Sequence, residues 1–170
     1  LKEGLERLNN LSQEEAEAEL LKCCGSTLWA RRMWMERPFH DLQEILSKAD
    51  IVWWALDGED WLEAFSRHPK IGEKKSARAQ AKDAQHWSEQ EQAGTRSADE
   101  ETRLALAEAN REYERKFSHI YIVCATGKTA DEMLLILKKR LQNDADKELR
   151  VAAEEQRKIT HLRLGKLLEI

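Results

Sequence analysis

Apolar positions along the chain recur mostly three and four residues apart, the spacing of helices that each bury one face. Ser12-x-x-Glu15 opens a segment carrying Ala16, Leu20 and Leu21. Ser97-x-x-Glu100 opens a long one through Leu104, Leu106 and Tyr113, and Thr129-x-x-Glu132 opens another through Met133, Leu135, Ile136 and Leu137. In each, a hydroxyl and a carboxylate three residues apart have the spacing to satisfy free amides at a helix start. Residues 26–36 and 41–48 read as shorter helices broken apart at Pro38. Residues 60–68 read as an amphipathic helix with Trp61 and Phe65 on its apolar side, ended by Pro69. A long last helix is expected over 144–168, with Leu149, Ala152, Ala153, Ile159, Leu162 and Leu164 facing inward.

One segment breaks this period. Ile120-Tyr121-Ile122-Val123-Cys124 is short, β-branched and apolar throughout, which is the pattern of a strand. A single such segment makes no sheet, so it is expected to be a buried extended connector between two helices. The expected fold is therefore all-α: a single-domain helical bundle over residues 1–170 with one short extended connector. From Glu73 to Arg96 the chain is polar, with Trp87 its only large apolar residue, and suits a solvated helix, a flexible loop or both.

Composition narrows the function classes. A chain of 170 residues suffices for one domain with a substantial core. Charged residues make up 35% and apolar residues 41%, with only 7 glycines and 2 prolines, the balance of a soluble helical protein. A net charge of −4 argues against a general nucleic-acid surface. No apolar run approaches the roughly 20 residues of a membrane span, and the N-terminus has no signal-peptide pattern. Cys23, Cys24 and Cys124 make no disulfide framework, so a reducing compartment is the simpler expectation. The five histidines are scattered without ligand spacing and the cysteines form no CxxC, so no metal site is expected.

Three places carry candidate chemistry. His68 sits between the apolar helical pattern and Pro69-Lys70-Ile71-Gly72. An imidazole there is either a helix-end residue beside a turn or a proton donor and acceptor aimed into a cavity. In a helix, Ser88, Glu91 and Gln92 share one face, giving a hydroxyl, a carboxylate and a carboxamide side by side; a solvated helical turn has the same composition. Arg163 stands among apolar neighbours and needs an anionic partner, from a ligand or from another helix. Gly127-Lys128-Thr129 lacks the upstream glycine of a phosphate loop, since Ile122 stands there.

Taken in order, these motifs resemble the 2-oxo-4-hydroxy-4-carboxy-5-ureidoimidazoline (OHCU) decarboxylase family. The matching pieces are Cys23-Cys24-Gly25-Ser26 with Trp29-Ala30, Arg37-Pro38-Phe39, His68-Pro69-Lys70-Ile71-Gly72 and Ser88-x-x-Glu91-Gln92-x-Gly94. Asn110-x-x-Tyr113, Lys116-Phe117, residues 121–128 and Ile159-Thr160-x-Leu162-Arg163-Leu164 complete the set. The resemblance implies a cofactor-free, all-helical lyase, usually a homodimer, that releases CO2 from OHCU to give (S)-allantoin. It implies His68 as general acid/base with Glu91 as its partner. Ser88 and Gln92 would bind the ureido and ring groups, Arg163 an anionic oxygen, and Pro69 with Tyr121, Ile122, Val123, Cys124 and Ala125 would line the pocket. An intracellular setting, cytoplasm or peroxisome, goes with it. Where the family commonly has glycine and an aromatic after Lys-Phe, this chain has Ser118-His119. In some organisms the domain is fused to a transthyretin-like hydroxyisourate hydrolase, and the end after Leu167-Leu168-Glu169-Ile170 suits a domain of such a fusion. Two other readings fit the same residues: a non-catalytic helical interaction module, and a cyclic-amide hydrolase using the same His/Glu pair.

Overall fold

Side chains that reach back to free backbone amides set most of the helix starts. The structure, a computed structural model, describes residues 1–72 and 82–169. Among these residues the elements are α1 (Lys2–Asn10), α2 (Gln13–Cys23), α3 (Thr27–Met35), α4 (Leu42–Trp54) and α5 (Gly58–Ser66). After them come α6 (Lys82–Glu91), a single 3-10 turn (Ala93–Thr95), α7 (Glu100–Phe117), α8 (Ala130–Arg140) and α9 (Ala145–Glu169). The fold is all-α, as the periodicity predicts.

The capping boxes at Ser12 and Thr129 form as read, and Ser26 and Asp41 cap α3 and α4. The box at Ser97 does not form. Asp99 accepts from Thr102 N at 2.7 Å instead, so the helix starts two residues later on the carboxylate cap. The fourth helix runs to Trp54, past the expected end at Lys48, and α1 was not anticipated. The polar stretch becomes a helix from Lys82 with Trp87, Ser88 and Glu91 buried; its first part, residues 73–81, lies outside the described residues.

Two compact units divide the described residues: 1–64 with the end of α9 from Arg157, and 65–156. In the first, Gly4 of α1 lets the backbone of α9 come close, since a Cβ there would lie 2.1 Å from the Leu168 carbonyl oxygen. Arg37 explains its motif structurally: its Nη1 donates to the carbonyls of Leu8, Asn9 and Leu11 at 2.7, 3.2 and 2.9 Å and fastens the end of α1. Asn9 and Phe39 exchange two hydrogen bonds beside it, at 2.7 and 2.9 Å. The buried indoles of Trp29 and Trp61 donate to Ala49 O and Trp53 O. Cys23 and Cys24 are buried here as well, and burial pushes both thiols up, Cys24 to about 12.

In the second unit α7 and α8 pack around Tyr113, Phe117, Met133 and Leu137, and Tyr121, Val123 and Ala125 enter the same core. Residues 120–125 have no strand partner among the described residues and form the connector expected from the sequence. Tyr121 donates to Met133 O at 3.0 Å. At the centre lies a buried ion pair: Arg140 meets Glu148 through Nε at 2.7 Å and Nη2 at 2.5 Å, with the two side chains 8% and 0% exposed. Tyr113 and Asn143 also donate to the Glu148 carboxylate, at 2.5 and 2.8 Å.

The end of α7 accounts for the Ser118-His119 departure. Ser118 takes up the left-handed conformation, φ 61° and ψ 18°, the geometry a glycine adopts without strain. His119 lies where an aromatic is expected and packs on Phe65, Tyr113 and Phe117, with ring centroids 5.4, 5.5 and 6.3 Å away. Burial holds its pKa below the ordinary imidazole value. Ser118→Gly is expected to raise stability by about 1 kcal/mol through relief of the left-handed strain, measured by urea unfolding; an unchanged midpoint would show that the strain is negligible.

The inward face of α9 departs from expectation. Ala152, Ala153, Ile159 and Leu164 are buried, but Leu149 is only half-buried and Leu162 is 41% exposed. Leu162 turns outward because Thr160 and Arg163 occupy the inward positions, continuing a polar stripe that begins with Glu148 and Gln156. Among the described residues no helix is long and apolar enough to cross a membrane.

Candidate active site

His68 lies two residues beyond α5, where Pro69 forbids the helix to continue. Its backbone N–H still reaches Phe65 O at 3.1 Å, and its ring is turned inward, 8% exposed. Nε2 stands 2.6 Å from Oε1 of Gln156, a wholly buried carboxamide on α9. Pro69 and Ile71 are buried behind it, and Asn110 of α7 holds Ile71 O at 3.3 Å. The turn is thus anchored at both ends.

The Ser88–Gln92 face is an inward one. Ser88 and Glu91 are 3% and 7% exposed, which removes the solvated-turn alternative. Ser88 Oγ donates to Ala84 O at 2.9 Å. Gln92 follows the last residue of α6 and accepts from Gly72 N at 2.9 Å, tying this face to the turn after His68. Gly94 then lies against the chain beyond the connector: a Cβ there would fall 2.0 Å from Lys128 O. That close approach explains why the motif needs its glycine, a role not visible in the sequence.

Pro69, Ser88 and Gln92 line a cavity of about 550 Å3 together with Lys70, Ile71, Gly72 and Asn110. Arg96, Arg103 and Arg111 stand on its wall with Glu89. His68, Glu91 and residues 121–125 are buried but are not among its described lining residues.

Polar side chains hold the connector from several sides. Arg140 Nη1 donates to Ile122 O at 2.6 Å, Cys124 N donates to Glu155 Oε2 at 2.7 Å, and Lys128 Nζ donates to Cys124 O at 2.7 Å. Burial pushes the Cys124 thiol up against the opposing pull of Lys128, and the carboxylates of Glu155 and Glu91 push it further. Glu91 is thus an electrostatic neighbour of the connector. Arg163, in the other unit, is 3% exposed and donates to Lys22 O at 3.2 Å. Among the described residues no three His, Cys, Asp or Glu side chains gather as a metal-ligand set.

Gln156, Glu155, Arg140 and Glu148 were not anticipated. The signal available was the spacing of Glu148 and Gln156 from Ala152, four residues on either side, which puts both on the buried stripe.

An all-helical protein with a buried histidine at a helix end beside a polar-lined cavity is the class that fold and site define. Residues 9–165 match the model of the OHCU decarboxylase family, and the chain belongs to that family. It is 38% identical over 157 residues to the uric acid degradation bifunctional protein TTL of Arabidopsis thaliana, covering 92% of this chain and 48% of that protein. The chain therefore spans about half the length of that relative. It is 30% identical over 141 residues to the 2-oxo-4-hydroxy-4-carboxy-5-ureidoimidazoline decarboxylase of Mus musculus, covering 83% of this chain and 79% of that one. A crystal structure of an OHCU decarboxylase in the presence of (S)-allantoin superposes with a TM-score of 0.77 at 37% identity, covering 90% of this chain and 99% of that one.

Proposed function

We propose that this chain decarboxylates OHCU to (S)-allantoin without a cofactor, with His68 as general acid/base and Glu91 as its partner. The observation that carries the reading is the buried imidazole, held by Gln156 at a helix end directly before Pro69 on the cavity wall.

The chemistry asks little else of the protein. When the bond to the carboxylate breaks, CO2 leaves and the electron pair it leaves behind passes into the heterocycle. One proton, delivered from one side, completes allantoin, and a fixed imidazolium supplies it and returns to the neutral ring. The anion that forms in between is stabilised by donors already in place, and the carboxylate must be held out of the ring plane. Ser88 and Gln92 are assigned to the ureido and ring groups, residues 121–125 to the pocket wall, and Arg163 to an anionic oxygen of the substrate. Homodimer assembly, residence in the cytoplasm or peroxisome, and fusion to a hydroxyisourate hydrolase half belong to the same reading; the bifunctional Arabidopsis relative supports the last.

The test generates OHCU in place from urate with urate oxidase and hydroxyisourate hydrolase, then follows CO2 release and the circular dichroism of the product. One allantoin enantiomer is expected, forming well ahead of spontaneous decay. A racemic product at the spontaneous rate would overturn the reading, and a ring-opened acid without CO2 would replace the lyase with a hydrolase.

A further inference from the structure

We infer that Gln156 is a positioning residue of this reaction, whose carboxamide oxygen fixes the orientation of the His68 ring and keeps the proton of the neutral ring on Nε2. The inference rests on His68 being the acid/base of the proposed function, and adds a residue to which no role has been given.

The first support is the cost of the side chain where it stands. Gln156 is wholly buried in the middle of α9, in register with Ala152 and Thr160 on a stripe where leucine would pack well. A carboxamide taken out of water destabilises the fold unless its oxygen and amino group are both used. Its oxygen is used on His68, at 2.6 Å.

The second support is what the partner is. An amide oxygen only accepts, so in the neutral ring the proton belongs on Nε2 and the lone pair on Nδ1. A carboxylate in this place would also fix the ring, but would favour imidazolium strongly. The uncharged amide orients the imidazole and leaves its charge to the other groups around the site.

The third support is the neighbouring residue. Glu155 accepts the Cys124 amide at 2.7 Å, while Gln156 holds His68. Two turns before Glu155, Glu148 anchors Arg140, which in turn holds Ile122 O. One stretch of α9 therefore holds both His68 and the connector, and a shift of that helix moves the two together. Pre-set geometry of this kind matters because a misplacement of about 1 Å can cost roughly 10²-fold in rate.

The test uses the full chain, with Gln156→Met and Gln156→Glu. Methionine has the length of glutamine and no acceptor of comparable strength, and glutamate restores an oxygen. In the wild type, the 15N spectrum of the imidazoles is expected to report the Nε2–H form of His68, assigned through its loss in His68→Asn. In Gln156→Met the two tautomers should mix, with kcat falling roughly 10²-fold and KM moving by less than about twofold. Gln156→Glu should recover most of that kcat. An Nδ1–H ring in the wild type overturns the inference, and that measurement stands even where Gln156→Met fails to fold. A Gln156→Met enzyme with unchanged kcat overturns it as well. If His68→Asn itself keeps full activity, the underlying assignment of His68 falls instead, so the two failures are told apart.

Discussion

His68→Asn is expected to lower kcat for OHCU decarboxylation roughly 10²–10⁴-fold, the contribution of a positioned proton donor, while the chain stays folded. The fold should tolerate it because asparagine is smaller than histidine and still polar, and the hydrophobic cluster around Tyr113 and Phe117 keeps all its members. Among what it loses is the hydrogen bond to Gln156, worth on the order of 1 kcal/mol net. Asparagine is chosen over alanine so that a polar side chain still faces that amide. The measurement pairs initial rates with a thermal melt. A rate near wild type with an unchanged melt would remove His68 from the chemistry. A collapsed melt would assign His68 to packing instead.

The largest effect on stability is expected at Arg140. Removing one member of a buried ion pair leaves the other charged with nothing to balance it, at a cost of roughly 3–5 kcal/mol. Glu148 is wholly buried, and without the guanidinium Tyr113 and Asn143 are the donors that remain to it among the described residues. Arg140→Met is therefore expected to lower the melting temperature by roughly 10 °C. Arg140→Met combined with Glu148→Leu should recover much of that loss, since an apolar pair of similar volume is often as stable as the ion pair. The double variant also separates two roles. Stability returns, but Ile122 O has still lost its donor at 2.6 Å, so kcat/KM should stay low. Full activity in a stable double variant would show that the connector needs no such tether.

Much of the helical plan was legible in the sequence because its signals are local. Ser12 and Thr129 sit three residues before their glutamates, and each pair closes on itself whatever the rest of the chain does. Ser97 misled because Asp99, two residues on, offers a better cap to the same helix. The connector was legible for the opposite reason: a lone β-branched run has no sheet to join.

The site was legible only in part. His68, Pro69, Ser88, Glu91 and Gln92 are types chosen for chemistry, and their order carried the family resemblance. Arg140, Glu148 and Gln156 were not, because a charged or amide side chain on a helix reads as solvent-facing until its partner is known. Their partners, Ile122 O, Tyr113 and His68, are 18, 35 and 88 residues away. No periodicity encodes a pairing at that distance. The residues between Gly72 and Lys82, and with them the question of whether a segment closes over substrate, lie outside the described residues.

The three buried cysteines give the chain a property of a different kind. Oxidants and electrophiles attack the thiolate, and on a thiol whose pKa stands at about 12 that form is about a thousandfold scarcer than on an ordinary one. Cys23 is shifted in the same direction, and Cys124 also, and none of the three is more than 9% exposed. The cysteines of the folded protein are thus poor targets for disulfide exchange and thiol alkylation until it unfolds. The thiols that suggested a reducing environment therefore leave the protein indifferent to it, and their labelling becomes a clean clock for global unfolding.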